Sequence, residues 1–214
     1  MRLGGAVAVI ACVLSTAAAA HPQADFDRLL AHCVDQTRTP DGRIDACRHL
    51  LNSTGLDPVE YAFTELNVGA AYTEKGDNAS ALAAYARSIA LEPNMWQAYN
   101  NRIEVRGKTG DLDGALDDYF HLQKIDPAKV SMKVFGVKYA SAHELPDGHG
   151  EAHEASEYDR AVADIRRKLS DALYQRGLAR RASGDSSGGD ADIRSALAIN
   201  PGAANAQPTN GAAP

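Results

Sequence analysis

The chain has 214 residues, of which 44% are hydrophobic, so it is long enough for one globular domain or a short solenoid with its own core. Aromatic residues make up only 6% while alanine is abundant, which favours helices packed through small side chains over a β-sandwich. The formal net charge of −6 gives no electrostatic support for a general grip on nucleic acid phosphates. We therefore expect a helical protein that does not bind nucleic acid.

The first twenty residues have the form of a secretory signal peptide. Arg2 gives a positive start, an apolar run reaches Leu14, and three alanines precede the expected cleavage site before His21. A competing interpretation centres on Cys12, because residues 9–12 resemble the lipobox of bacterial lipoproteins, in which the cysteine is acylated. We expect export without stable membrane insertion of the mature chain, to the periplasm in a Gram-negative cell and otherwise to the medium.

Export changes how the cysteines are interpreted. Once the signal is removed, Cys33 and Cys47 remain as an even pair in an oxidising compartment, which favours one structural disulfide. The bond would join two helices in an N-terminal cap over residues 21–57. A redox dithiol is disfavoured because the C-x-x-C spacing is absent, and a zinc site with His32 and His49 is disfavoured because neighbouring side chains diverge on a helix.

A fixed set of residues recurs through the rest of the chain. A helix is predicted to start at Asp57-Pro58, and Gly-Asp pairs then stand at 76–77, 110–111 and 184–185. Residues around the first pair return 34 positions later: Ala81, Tyr85, Leu91 and Pro93 match Ala115, Tyr119, Ile125 and Pro127. A third copy lies 74 positions beyond the second and ends with Ala196, Ile199 and Pro201. A constant period predicts a repeat architecture.

Residues 130–169 leave room for one whole unit between the second and third copies. Their first part predicts a helix, although alternating apolar residues also permit a short strand, and Pro146 predicts a break. A helical pattern resumes near Glu151, so we interpret the segment as a degenerate repeat with a long internal loop. Acidic residues dominate 143–159 and basic residues 160–181, which indicates either a docking surface or solvated helix faces. The polar tail, residues 204–214, is expected to be disordered.

This pattern resembles the tetratricopeptide repeat, whose unit is two antiparallel helices, A and B. The resemblance implies an all-α fold, a short right-handed solenoid, with units at 62–95, 96–129, 130–169 (degenerate) and 170–203. Small residues stand where helices A and B approach most closely: Gly69, Ala81, Ala115, Gly177 and Gly189. The second unit departs from the pattern at Ile103, where glycine is expected, and at Arg106, where an aromatic residue is expected. Gly188-Gly189 is expected to loosen the last helix.

The resemblance also implies a function, since tetratricopeptide arrays bind a protein or peptide partner in the groove lined by their A helices. The family's groove positions fall here on Phe63, Leu66, Asn67, Ala70, Gln97, Asn100, Asn101, Glu104, Asp171, Tyr174, Gln175 and Leu178. This lining is apolar at its ends and rich in amides at its centre, which favours sequence-tolerant peptide binding. The two-carboxylate clamp of chaperone-tail-binding members is not present, since the first and last units lack its basic residues.

The sequence contains no phosphate-binding glycine loop, nucleophile elbow or zinc-protease helix motif, so we expect no enzymatic activity and no cofactor. The recurring aspartates of the Gly-Asp pairs are expected to cap helices far apart from one another. The leading hypothesis is a non-catalytic exported adaptor. The alternative is a metal-binding accessory protein, because His143, His149 and His153 could ligate zinc, nickel or copper if the segment is helical, and otherwise belong to a polar loop.

Overall fold

A computed structural model describes residues 22–53, 56–125, 133–134, 137–138 and 150–205. Within these ranges the chain forms eight α-helices: α1 Pro22–Val34, α2 Pro40–Leu51, α3 Pro58–Lys75, α4 Asn78–Leu91, α5 Trp96–Thr109, α6 Leu112–Leu122, α7 Gly150–Ala182 and α8 Ser186–Ile199. A short 3₁₀ helix, Pro201–Asn205, follows α8. Two short strands, β1 Lys133–Val134 and β2 Val137–Lys138, pair in antiparallel fashion.

Each helix packs on the next along the chain, from α1 to α8. Contacts between α3 and α5, and between α5 and α7, join every second helix, and β1 lies against α3. The pairs α3–α4, α5–α6 and α7–α8 are therefore stacked side by side. The expected all-α solenoid of antiparallel helix pairs is confirmed.

The helix boundaries follow from the predicted turn residues. Asp57 caps α3 through a bond of 2.9 Å from the Glu60 amide, and the Glu60 carboxylate accepts from the Asp57 amide at 2.9 Å. The glycines that follow α3, α5 and α7 have φ values of 78°, 84° and 96°, which favour glycine because it has no β-carbon. The aspartate after each glycine accepts a backbone amide at the start of the next helix, as predicted.

A disulfide between Cys33 and Cys47 joins α1 to α2 and confirms the predicted cap. Both cysteines are buried in one cluster with Leu50 of α2, Val68 of α3 and Ala84 of α4. The cap therefore covers the outer face of the first helix pair. It excludes water from a face that would otherwise be an open solenoid end.

Glycines set how closely helices A and B approach. A β-carbon on Gly69 would overlap the ring of Tyr85, so the tyrosine packs directly on the backbone of α3. A β-carbon on Gly177 would lie 2.8 Å from the carbonyl oxygen of Gly189. The expectation that the Gly188-Gly189 pair loosens the last helix is therefore corrected: α8 is continuous, and its second glycine admits the backbone of α7.

The structure of residues 150–169 differs from the prediction that they end a degenerate repeat. Residues 150–169 and the helix predicted from Ser170 form one helix of 33 residues, α7. No glycine or proline stands between Glu151 and Arg176, so nothing in the backbone ends the helix there. Tyr158 of α7 packs its ring against Trp96 of α5, so α7 lies directly on the second pair. No further helix pair lies between them in the described part of the chain.

Removal of the disulfide is expected to destabilise the cap. The bond closes a loop with a sequence separation of 14, so the variant Cys33→Ala/Cys47→Ala should lose about 3 kcal/mol of unfolding free energy. Thermal unfolding with and without reductant measures the effect. Reductant should lower the melting temperature of the parent chain and leave that of the double variant unchanged. A parent chain that melts at the same temperature in both conditions would contradict the prediction.

Two glycine substitutions of the same kind should act in opposite directions. Gly69→Ala should destabilise the chain by about 1–3 kcal/mol, because the added methyl group displaces the ring of Tyr85. Gly107→Ala should stabilise it by up to about 1 kcal/mol, because Gly107 lies within α5 and its β-carbon would meet no described atom within 4 Å. Chemical denaturation of both variants measures the difference. Equal losses would show that helix propensity and packing space do not decide stability at these positions.

Candidate protein-binding groove

A cleft of about 410 Å³ lies between α5 and α7. Its apolar lining consists of Ile103 from α5 with Ile165, Leu169 and Ala172 from α7. Polar and charged side chains form its rim: Asn100, Glu104 and Lys108 on α5, and Asp164 and Lys168 on α7. The cleft therefore combines an apolar floor with a charged border, as binding sites for other molecules commonly do.

The two helices that form the cleft run in the same direction. Early in α7, the Tyr158 hydroxyl donates to the carbonyl of Leu122 at the end of α6. Late in α7, Arg176 donates to Asp113 at the start of α6 at 2.6 Å, and this bond lowers the pKa of the Asp113 carboxyl. Helix α7 is thus antiparallel to α6, as α5 is. Residues at the start of α5 consequently face residues early in α7.

Ion pairs border the cleft on both walls. Glu104 and Lys108 are bonded at 2.7 Å along α5, and Asp164 and Lys168 at 2.6 Å along α7. The bond from Lys168 lowers the pKa of the Asp164 carboxyl, and Arg167, which also binds it, adds to the effect. Both pairs are i, i+4 pairs on exposed helix surfaces. Such pairs stabilise a helix by only about 0.3–0.5 kcal/mol.

A buried carboxylate fixes the α5 wall on α6. Asp118 of α6 is 1% exposed and accepts two bonds from Arg102, at 2.8 Å from Nε and 2.5 Å from Nη2. Arg106 lies 2.9 Å from the same carboxylate and donates to the carbonyl of Gly114 at 2.6 Å. The arginine that replaces the expected aromatic residue in the second unit thus completes an interhelical network.

An equivalent network of two arginines and one aspartate fixes the α7 wall on α8. Asp192 is 6% exposed, accepts from Arg176 at 2.8 and 2.7 Å, and lies 3.0 Å from Arg180. Each member stands 74 positions after its counterpart, the displacement that separates the two copies. We call these two networks the Arg–Asp clamps. The repeat spacing of Arg102, Arg106 and Asp118 was a signal that sequence reasoning missed.

The predicted groove residues of the second unit lie in and beside the cleft. Asn100 and Glu104 line it, and Asn100 donates to the Asn101 amide oxygen at 3.1 Å. Burial raises the pKa of the Tyr85 hydroxyl, which is 2.9 Å from the Thr73 hydroxyl. The amide oxygen of Gln97, one turn earlier, is buried without a hydrogen-bond partner among the residues that the structure describes.

The predicted groove residues of the first unit are mostly occupied by their own core. Leu66 is 8% exposed and packs in the cluster that contains Tyr85, with Phe63 half-buried against it. Asn67 donates to the carbonyl of Phe63 at 2.9 Å, which satisfies part of its amide within α3. Ala70 is half-buried. None of these four residues lines the cleft.

The predicted groove residues of the third unit lie beyond the cleft. Tyr174 is half-buried against the core, while Gln175 and Leu178 are exposed, and none of them lines the cleft. The α7 residues that do line it lie between positions 164 and 172. Sequence reasoning missed all five of them, and four of the five precede the formal start of the third unit. The role of the predicted residues in partner binding stays a prediction.

Comparison with known proteins agrees with this helix-pair architecture. No family model matches the chain. Over 50 residues the chain is 42% identical to tetratricopeptide repeat protein 36 of Homo sapiens and of Mus musculus, and over 45 residues it is 44% identical to the Bos taurus protein. The human match covers 23% of this chain and 26% of its relative, so the chain spans about a quarter of the length of the curated relatives it matches. The chain contains tetratricopeptide repeats.

Two crystal structures of MamA are also similar to the chain. The first is 18% identical with a TM-score of 0.43, over 89% of this chain and 98% of MamA. The second is 20% identical with a TM-score of 0.38, over 78% of this chain and 92% of MamA.

None of the helices in the described ranges is long and apolar enough to cross a membrane. Among the same residues, no group of three histidine, cysteine or acidic side chains could hold a metal ion. His143 and His149, two of the three predicted metal ligands, lie outside the described residues, and only the backbone of His153 is described.

Loss of one clamp carboxylate should destabilise the second tetratricopeptide unit. Asp118→Ala leaves Arg102 and Arg106 without their buried partner and should cost about 3 kcal/mol of unfolding free energy. The neighbouring Asp117 is 72% exposed, so Asp117→Ala is a matched control expected to change stability by less than about 0.5 kcal/mol. Urea denaturation of both variants measures the difference. Similar losses in the two variants would show that the clamp does not hold α5 on α6.

Proposed function

We propose that this chain is a non-catalytic exported adaptor that binds a partner protein in the cleft between α5 and α7. The observation that carries the proposal is the cleft itself, with its apolar floor and polar rim on two helices that are held rigidly. Rigid walls favour binding because little conformational entropy is lost when a partner is ordered on them. The tetratricopeptide architecture supports a protein as the partner.

The chemistry of the rim also favours a protein over nucleic acid. The amide group of Asn100, which lines the cleft, can pair with a peptide backbone. The net charge of −6 disfavours a phosphate backbone. A catalytic role has no support, because each buried carboxylate named above is bonded within an Arg–Asp clamp.

Two observations support export. The N-terminal sequence has the pattern of a secretory signal peptide. The cap contains a buried disulfide, and such bonds persist in oxidising compartments and are rare in the reducing cytosol. We therefore propose that the adaptor works in the periplasm if the cell is Gram-negative, and otherwise outside the cell.

Site-specific photo-cross-linking in the native cell tests the proposal. A photoreactive amino acid in place of Asn100 would stand at the rim of the cleft, and the same probe in place of Arg194, on the exposed surface of α8, is the control. We expect one dominant cross-linked protein from position 100 and not from position 194. Equal capture at the two positions, or none at position 100, would contradict the proposal.

A cleft-blocking variant shows whether the captured protein binds in the cleft. Gly107 lines the cleft, and its β-carbon would meet no described atom within 4 Å, so Gly107→Trp adds bulk to the cleft from a position with space for a side chain. The partner's affinity for Gly107→Trp should fall at least tenfold, while Gly107→Ala, the matched control, should bind like the parent chain. Melting temperatures of both variants at or above that of the parent chain exclude unfolding as the cause. Equal binding by both variants would place the partner elsewhere.

A further inference from the structure

We infer that the cleft between α5 and α7 selects a protein segment by its order of charge, with an apolar side chain held between a basic residue and an acidic residue. This inference rests on the proposed function and names the class of partner segment. It is carried by the charges on the two cleft walls and by the direction in which those walls run.

The walls give the cleft an acidic end and a basic end. Glu104 precedes Lys108 on α5 by four residues, and Asp164 precedes Lys168 on α7 by the same spacing. Because α5 and α7 run in the same direction, both carboxylates lie toward the N-terminal ends of the helices and both ammonium groups lie toward the C-terminal ends. The backbone positions that carry the opposite charges are about 6 Å apart along each helix axis, at 1.5 Å per residue.

These charges are available to a partner. The four side chains are between 45% and 65% exposed, and the two pairs they form are exposed helix-surface pairs of little net stability. A partner can therefore replace an intrahelical pair with an intermolecular pair at small cost. Arg167 also binds Asp164, so Glu104 offers the less neutralised carboxylate at the acidic end.

Polar groups on α5 extend the same asymmetry. Asn100 lines the cleft one turn before Glu104 on α5, and its amide oxygen is an acceptor. The N-terminal end of the cleft thus presents the acceptors of Asn100, Glu104 and Asp164. Its C-terminal end presents the donors of Lys108 and Lys168.

The floor between these ends requires an apolar anchor. Ile103, Ile165 and Leu169 are each less than 8% exposed and form a fixed base, while Ala172 leaves space beside them. A volume of about 410 Å³ is at the lower end of the range for ligand sites, and one or two leucine-sized side chains suit it. An apolar side chain between two opposite charges therefore matches the cleft along its length.

Three synthetic peptides test the inference on the full chain. All contain Ala-Leu-Leu-Ala at the centre: the dipolar peptide has two lysines at one end and two glutamates at the other, and the other two carry lysines or glutamates at both ends. Fluorescence anisotropy at low salt should show the dipolar peptide binding about tenfold more tightly than either of the others. Equal affinities for the three peptides, or no measurable binding of the dipolar peptide, would overturn the inference.

Charge substitution in the cleft supplies the second measurement. In Lys108→Glu/Lys168→Glu both ends of the cleft are acidic, so the preference should change to the peptide with lysines at both ends. The control Arg38→Glu/Arg194→Glu has the same net charge on exposed residues away from the cleft and should keep the preference of the parent chain. A preference that changes equally in both variants would overturn the inference, since net charge alone would then explain it.

A benzophenone at the glutamate end of the dipolar peptide tests which end of the cleft that part of the peptide occupies. Cross-links should map near Lys108 and Lys168 in the parent chain, and cross-links near Glu104 and Asp164 would overturn the inference. Failure of this inference and failure of the proposed function remain distinguishable. The Asn100 cross-linking experiment identifies a cellular partner in the cleft whether or not that partner carries the inferred order of charge.

Discussion

Two buried carboxylates determine how the helices of this protein are placed. Asp118 and Asp192 are almost inaccessible to water, and each is neutralised by two arginines from the preceding helix. A buried charge that loses its partner costs several kcal/mol, so these helices cannot slide or separate without a large penalty. The bidentate geometry adds direction, because both arginine nitrogens must meet both carboxylate oxygens. The position of α5 on α6 and of α7 on α8 is thereby fixed, and the walls of the cleft with it.

The first helix pair has no Arg–Asp clamp at the corresponding positions, and its own ion pair, between Arg87 of α4 and Glu65 of α3, lies elsewhere on the two helices. The positions that correspond to Arg102 and Asp118 are Val68 and Ala84, 34 residues earlier, and both are buried against the disulfide-linked cap. Since α2 covers this face, an ion pair there would lose its hydration, and small apolar residues pack more favourably. The buried guanidinium of Arg43 is bonded to Glu74 and to the carbonyl of Cys33, so the charge at this junction comes from the cap itself.

Much of the fold could be predicted because its signals are local. A glycine with positive φ, a capping aspartate, or a cysteine pair in an exported chain each fixes a nearby element whatever lies elsewhere. The Arg–Asp clamps left a signal too, since Arg102, Arg106 and Asp118 recur at the displacement of the third copy. The sequence analysis compared only apolar and glycine positions between the copies, and so it did not detect this recurrence. The cleft could not be predicted in the same way, because its α7 wall depends on where that helix packs and not on the repeat period.

The departure from the repeat period is what creates the cleft. The second and third copies are 74 residues apart, which is 40 more than the period of 34, and the last 20 of those additional residues, 150–169, form the first part of α7. This extension of helix A lays Ile165 and Leu169 against α5 and carries Asp164 and Lys168 with them. These residues follow no repeat pattern, so their charges are not constrained by the packing that the repeat requires. A surface that is held rigidly by repeats but composed of residues outside them can vary with the partner while the fold stays the same.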